Sequence, residues 1–448
     1  MRTIIIGGGA SAMTCASKLR RNDATMEIIV YQASSYVSLG ACGIPYYIAE
    51  EFDNVNDLLA RTPDWFEKQN IQIFLNSQLT AVDFDKKVVM IGNQVTSEII
   101  TKQYDNLVIA TGAMPIVPKF ENDHLGNIFT AVSKEDAYNI RKQVKDKQKI
   151  AIIGGGFIGL ELVEAFSHLQ KEVVLVEALE RVGAKAFDVE ITTIIQEYLL
   201  AKTVQVHCSK ELLGFQGEND VQAIVLANNE IIAADLVVLA LGFRPHTQLF
   251  KDTGLEMLDN GAIVIDHQGK TNIANVYSVG DCATITNLVT KKQSYLPLAT
   301  TAVKLARVIA NVIANVIANV DDRLEGTLGS AILQIVDLQV ARTGLSEWEA
   351  KAMNFNYQTI IIDDYDLPNY MSKQMPLKLK LLYEVDSLKL LGAQIVGYNK
   401  AVLRINALAV AICKQMTLPE IAKLDLVYAP PFGRTSDIIH IGASKIKK

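Results

Sequence analysis

The segment SLGACGIPYY (38 to 47) places one thiol, Cys42, just ahead of Gly43 and Pro45. Proline is favoured in the first turn of a helix, so the segment predicts a helix that begins beside the cysteine. At such an N-terminus the dipole favours the thiolate, which predicts a lowered pKa and a reactive sulfur nucleophile. The remaining cysteines of the set of five (15, 208, 282 and 413) are scattered, with no CxxC or CxxH spacing. That pattern argues against a disulfide framework and a structural zinc site, and fits a reducing cytoplasm. Cys15 and Cys413 fall on apolar helix faces, Cys208 ends a strand and Cys282 follows a turn, so all four are expected in the core. The histidines show no metal-ligand spacing, and no metal is expected.

Two stretches pair glycines with apolar strands. Lys149 to Glu177 reads KIAIIGGGFIGLELVEAF and then EVVLVE, with Gly154-x-Gly156-x-x-Gly159 between strand and helix. This spacing lets the backbone turn tightly, approach a pyrophosphate and pack helix on strand. The phosphates then sit on the helix N-terminus, where free N–H groups and the dipole favour an anion. Glu177 ends the next strand and can accept hydrogen bonds from ribose hydroxyls; its carboxylate repels a 2′-phosphate, so NADH is expected over NADPH. Arg2 to Gln32 repeats the pattern less regularly, as Gly7-x-Gly9-x-x-Ala12, with Gln32 where the acid would stand. Two dinucleotide sites are implied.

The elements that position these groups follow from the hydrophobic pattern. Continuous β-branched runs followed by helical spacing indicate βαβ units of a parallel sheet. YDNLVIATGAMP (104 to 115) and ADLVVLALGFRPH (234 to 246) are buried strands ending in small-residue turns, and NVYSVGDCA (275 to 283) is a strand ending at Gly280-Asp281. VIAN occurs three times between 302 and 320, which predicts a helix with an outward Asn stripe. Beyond Gly326, strands around 331 to 341, 357 to 363, 377 to 385 and 390 to 397 and a helix over 401 to 414 predict an α+β domain. Its sequence has no phosphate loop.

The whole chain supports this division. Its 448 residues suggest about three domains, and half the residues are hydrophobic with 21% charged, which excludes a disordered chain. Forty-three basic against 49 acidic residues give a net charge of −6 without long one-sign blocks, so nucleic acid is not the expected partner. The N-terminus lacks a signal-peptide layout, and no stretch has the length and freedom from charge of a membrane span.

Taken in order, these motifs resemble the flavoprotein pyridine nucleotide-disulfide oxidoreductases over essentially the whole chain. The resemblance implies an α/β fold with two Rossmann-like nucleotide-binding domains and a C-terminal α+β dimerisation domain, the glutathione reductase-like architecture. It places a discontinuous FAD domain at 1–113 and 245–325, an NAD(P)H domain at 114–244 and a dimerisation domain at 326–448, in a homodimer. It assigns Gly7, Gly9, Ala12, Gln32, Ala110, Thr111, Gly112, Gly280, Asp281 and Ala299 to FAD, with Asp281 on the ribityl chain. Gly154, Gly156, Gly159, Glu177 and Gly242 fall to NADH.

No second cysteine stands near Cys42, so the chain is similar to the single-cysteine branch of coenzyme A disulfide reductases, NADH oxidases and NADH peroxidases. There the thiol cycles through a mixed disulfide or a sulfenic acid. Oxidases and peroxidases carry a histidine in the first glycine loop where Ala10 stands here, and CGIPYYI looks like the coenzyme A disulfide reductase version. That branch uses two tyrosines of the partner subunit, matched by Tyr370 and by Tyr428 in VYAPPFG. Three expected coenzyme A contacts are replaced, by Ala41, Val303 and Ser436. Lys18, Arg20 and Arg21 of the first helix, Arg434 of the partner subunit, Thr14 and Ser38 are left to hold an anionic nucleotide tail. The expected reaction is NADH-dependent reduction of a small-molecule disulfide of coenzyme A type through Cys42. The alternatives are an NADH oxidase or peroxidase with a Cys42 sulfenic acid, and a flavin-bound redox sensor with little turnover.

Overall fold

Strand Arg2–Ile6 is β-branched and apolar on both faces, the pattern of a parallel sheet covered on both sides. It lies between Glu27–Tyr31 and Asn106–Ile109, with Ile71–Phe74 and Val276–Ser278 at the two edges, all parallel. The computed structural model describes residues 1–315 and 322–446. Helices Ala10–Asn22 and Ala299–Ile313 join this sheet in one core, through Leu19, Leu305, Ile309 and Ile313.

A second sheet repeats the plan, in the order Gln205–His207, Glu172–Val176, Lys149–Ile153, Leu236–Leu239, Ile128–Phe129, again all parallel. Each unit also carries a three-stranded antiparallel sheet that the sequence reading did not anticipate, over residues 77–103 and 212–233. The crossings between the units, Ala113–Pro115 and Phe243–Pro245, pair antiparallel.

The C-terminal unit is a five-stranded antiparallel sheet backed by helices Ile405–Cys413 and Ile438–Ser444. The strand expected around 331 to 341 is instead a hairpin of Ala331–Ile335 and Leu338–Gly344. Its turn holds Val336 at φ 57°, a conformation β-branched residues rarely adopt, so no turn signal marks it.

Other expectations need correction. Cys413 is exposed and Cys208 half-buried, whereas Cys15 and Cys282 are buried. Cys413 is the last residue of a helix whose buried face is Leu408, Ala411 and Ile412. The Asn stripe of the VIAN helix does not simply face water. Asn311 accepts from Asn22 Nδ2 at 2.9 Å and donates to Asp322 Oδ2 at 2.6 Å, tying the helix to the first βαβ unit. The third VIAN copy lies outside the described residues. Among the described residues no helix is long and apolar enough to cross a membrane.

The helix beside Cys42, Ile44–Ile48, belongs by chain order to the first unit but packs into the second. Ile44 and Ile48 share a core with Ile140 and Phe166 of the second unit and with Val340 and Val396 of the C-terminal sheet. Arg141, on helix Lys134–Gln143, fixes this docking. Its guanidinium lies 4.4 Å from the centre of the Tyr47 ring, donates to the Phe52 carbonyl, and donates to Asp53 Oδ1 at 2.8 Å. Arg141→Ala is expected to cost about 2 kcal/mol through the lost charge-assisted bonds and ring contact, read as a lower urea midpoint at unchanged slope.

Candidate active site

Both glycine loops are built by the same contacts. Gly7 at φ 113° and Gly154 at φ 111° bring their backbones so close to a neighbouring strand end that a Cβ would stand 2.1 Å from Ala110 O and 2.3 Å from Ala240 O. Only glycine fits there. The middle glycine of each loop is then held on both sides. Gly8 N donates to Gln32 Oε1 at 2.7 Å and Gly8 O accepts from Ser38 N at 2.8 Å. Gly155 N donates to Glu177 Oε2 at 2.7 Å and Gly155 O accepts from Gly183 N at 2.8 Å. Gln32 and Glu177, expected as ribose partners, thus also shape the loops, and Ser38 is buried with its N–H committed to Gly8. Gly159 packs against Gly154 O and Ala12 is fully buried at the matching place.

What remains open lies where nucleotides belong. A Cβ on Gly9, Gly112, Gly156 or Gly242 would meet no atom within 4 Å. Gly9 and Gly156 cap helices Ala10–Asn22 and Phe157–His168, leaving their first N–H groups facing free space. Gly280 at φ 86° leads to Asp281, which shares a small cleft with Thr284, Leu296, Leu298 and Thr301. Ala299 starts the helix at the edge of that cleft. Two open glycine cradles, and an apolar slot with one carboxylate, fit a flavin dinucleotide on the first unit and a nicotinamide dinucleotide on the second.

Cys42 is exposed on a single 3₁₀ turn, Ala41–Gly43, ahead of a helix of five residues. The expected depression of its pKa is overturned. Partial burial pushes the thiol up, and the carboxylates of Glu161 and Asp281 add to the effect. So short a helix offers little dipole to set against them. Burial raises Asp281 as well, and it raises Glu161 to about 7 with help from Glu164. Glu161 and Glu164 line a cleft of ≈ 430 Å³ with Pro45, Tyr46 and His168. The sequence reading missed Glu161, yet an acid in the apolar run GLELVEAF was a visible signal.

On the C-terminal unit the two tyrosines singled out by sequence meet, hydroxyl to hydroxyl, at 3.5 Å. Thr435 and Tyr370 lower the pKa of Tyr428, while the bond to Tyr428 raises that of Tyr370. The cations divide. Arg20 is spent on the carbonyls of Asp23, Ala24, Met26 and Asn70. Arg434 is paired with Asp364. Arg21 is exposed, and Lys18 and Thr14 are half-buried on the same helix.

A family profile described as pyridine nucleotide-disulphide oxidoreductase matches residues 1–306, and the dimerisation domain of the same family matches 331–437. The chain belongs to this family. Members are FAD-dependent and use NAD(P)H, and so does this oxidoreductase. It is 32% identical over 450 residues to an NAD(P)H coenzyme A polysulfide/persulfide reductase of Pyrococcus horikoshii, covering 100% of this chain and 98% of that protein. It is 30% identical over 451 residues to an NADH oxidase of Methanocaldococcus jannaschii, covering 100% and 99%. An NAD-dependent persulfide reductase from A. fulgidus superposes with a TM-score of 0.94 at 34% identity, covering 99% of this oxidoreductase and 82% of that chain.

Glu161→Gln removes a negative charge that opposes the Cys42 thiolate, so the thiol should titrate at lower pH, by about one unit or less. The rate of Cys42 alkylation by iodoacetamide against pH measures this. A midpoint that stays or rises contradicts the electrostatic account.

Proposed function

We propose that this oxidoreductase uses NADH to reduce the sulfur–sulfur bond of a small, coenzyme A-borne disulfide, with Cys42 as the one protein sulfur in the cycle. The observation that carries the reading is the exposed thiol of Cys42, set between Glu161 of the second glycine-loop unit and Asp281 of the first, whereas Cys15 and Cys282 are buried, Cys208 is half-buried and the exposed Cys413 ends a helix of the C-terminal unit. With no protein thiol to close a disulfide, the oxidised partner of Cys42 must be a small molecule. The relative that reduces coenzyme A polysulfide or persulfide supports a coenzyme A carrier.

Bound FAD supplies the two-electron relay between NADH and the sulfur. The Cys42 thiolate attacks one sulfur of the substrate, the S–S bond breaks, and a Cys42–S–S–CoA disulfide forms as the other half leaves as a thiolate. Tyr428 of the partner subunit, hydrogen-bonded to Tyr370, protonates the leaving thiolate. Two electrons then cleave the mixed disulfide, freeing coenzyme A thiol and the Cys42 thiolate. One NADH and one proton are consumed for two thiols released. Thr14, Lys18 and Arg21 are assigned to the nucleotide tail of the substrate; Arg434, held by Asp364, is not. We assign FAD to 1–113 with 245–325, NAD(P)H to 114–244 and dimerisation to 326–448.

NADH consumption with coenzyme A disulfide, measured anaerobically, tests the reading, and Cys42→Ser should abolish it. A second reading, an NADH oxidase passing through a Cys42 sulfenic acid, draws on the related NADH oxidase; turnover only with oxygen would select it. Either way KM for NADH should lie below that for NADPH, because Glu177 repels a 2′-phosphate, and Glu177→Ala should narrow the gap.

A further inference from the structure

The NADH loop is continuous with the C-terminal unit through a short chain of bonds. Gly183 N holds Gly155 O at 2.8 Å, and Gly183 O in turn accepts from Ala186 N and Phe187 N, both at 2.9 Å. Phe187 is buried, and its ring centre lies 5.8 Å from that of Phe157, the first residue of the helix on which the pyrophosphate would rest. The far side of this turn is gripped by the C-terminal sheet. Arg342 Nη1 donates to Ala186 O at 2.7 Å. Gln394 accepts from Asp188 N at 2.8 Å and donates to Asp188 Oδ2 at 2.7 Å.

A buried charge fixes the grip. Lys380, 1% exposed, meets Glu190 Oε2 at 2.6 Å, Asp188 Oδ2 at 3.2 Å and the Glu347 carboxylate. Asp188 also accepts from Glu347 N at 3.1 Å. A buried lysine with its partners removed is costly, so this junction holds one arrangement rather than sliding.

The matching turn in the first unit shows what is particular here. Ser38 at φ 60° bonds Gly8 as Gly183 at φ 69° bonds Gly155. The first turn, however, runs on to Cys42, whereas the second runs on to residues 186–190, which the C-terminal sheet holds.

We propose that Arg342, Gln394 and Lys380 are positioning residues for the NADH pyrophosphate, so that dinucleotide affinity and the seating of the C-terminal unit are coupled. This inference rests on the reading of the 154–159 loop as the NADH site. Coupling of this kind is reciprocal: whatever the C-terminal unit contributes to dinucleotide affinity, the dinucleotide returns to the junction.

The test uses the oxidised FAD-loaded protein and NAD⁺, which shares pyrophosphate and adenosine with NADH and delivers no electrons. Calorimetric titration of Arg342→Lys and Gln394→Leu should show NAD⁺ affinity reduced about fivefold or more. With NADH in turnover, KM should rise while kcat holds. In the unaltered protein, NAD⁺ should slow amide exchange over 346–351, the stretch of the C-terminal unit that meets Asp188, a measurement that does not depend on a variant folding. Unchanged affinity in both variants, with no added protection, overturns the coupling. Glu177→Ala separates the two claims. If it weakens NAD⁺ while Arg342→Lys does not, only the coupling falls; if it too leaves NAD⁺ binding unchanged, the assignment of the loop falls with it.

Discussion

The nucleotide-binding half of this molecule depends on a steric approach made twice. At Gly7 and at Gly154 the first strand of each unit turns so near the end of the adjacent strand that a side-chain carbon would overlap a carbonyl oxygen. Because that space is closed, Gly9 and Gly156 face outward into open space and the following helix points its bare N–H groups at the same place. The middle glycine, clamped through both N–H and C=O, removes the remaining freedom. A cradle fixed from both sides has little entropy left to lose when a pyrophosphate arrives.

Chemistry is placed by a different rule. Cys42 follows the first nucleotide unit in the chain, but its helix is held by the core of the second and by Arg141. The thiol therefore stands where the two nucleotide units meet, among carboxylates from both: Glu161 from the second and Asp281 from the first. Desolvation of the sulfur, with these carboxylates adding to it, favours the protonated thiol.

Much of this was legible in the sequence, because local patterns carry it. Both βαβ units, the crossing strands, the Gly280-Asp281 turn and the C-terminal change of character are written within short windows of residues. What escaped depends on residues distant in sequence. The direction of the Cys42 pKa shift was misread because a proline announced a helix but not its brevity, and because Glu161 approaches from another unit. Arg20 and Arg434 looked like free cations until folding supplied Asn70 and Asp364. The hairpin at Val336 was hidden because a left-handed valine is held by its surroundings and not by its own preference.

The paired crossings carry one more consequence. Phe243 to Pro245 lies antiparallel to Ala113 to Pro115, so the chain leaves the first unit and re-enters it through neighbouring strands. Every strand of the second parallel sheet falls between those two points. Entry and exit side by side make the intervening segment an insertion whose two ends meet, so the first unit's sheet is completed by chain from before and after it. The contacts that hold the insertion are acceptors for Arg141 on the cysteine segment, apolar partners for the shared core on the cysteine helix, and Arg342, Lys380 and Gln394 on the C-terminal sheet.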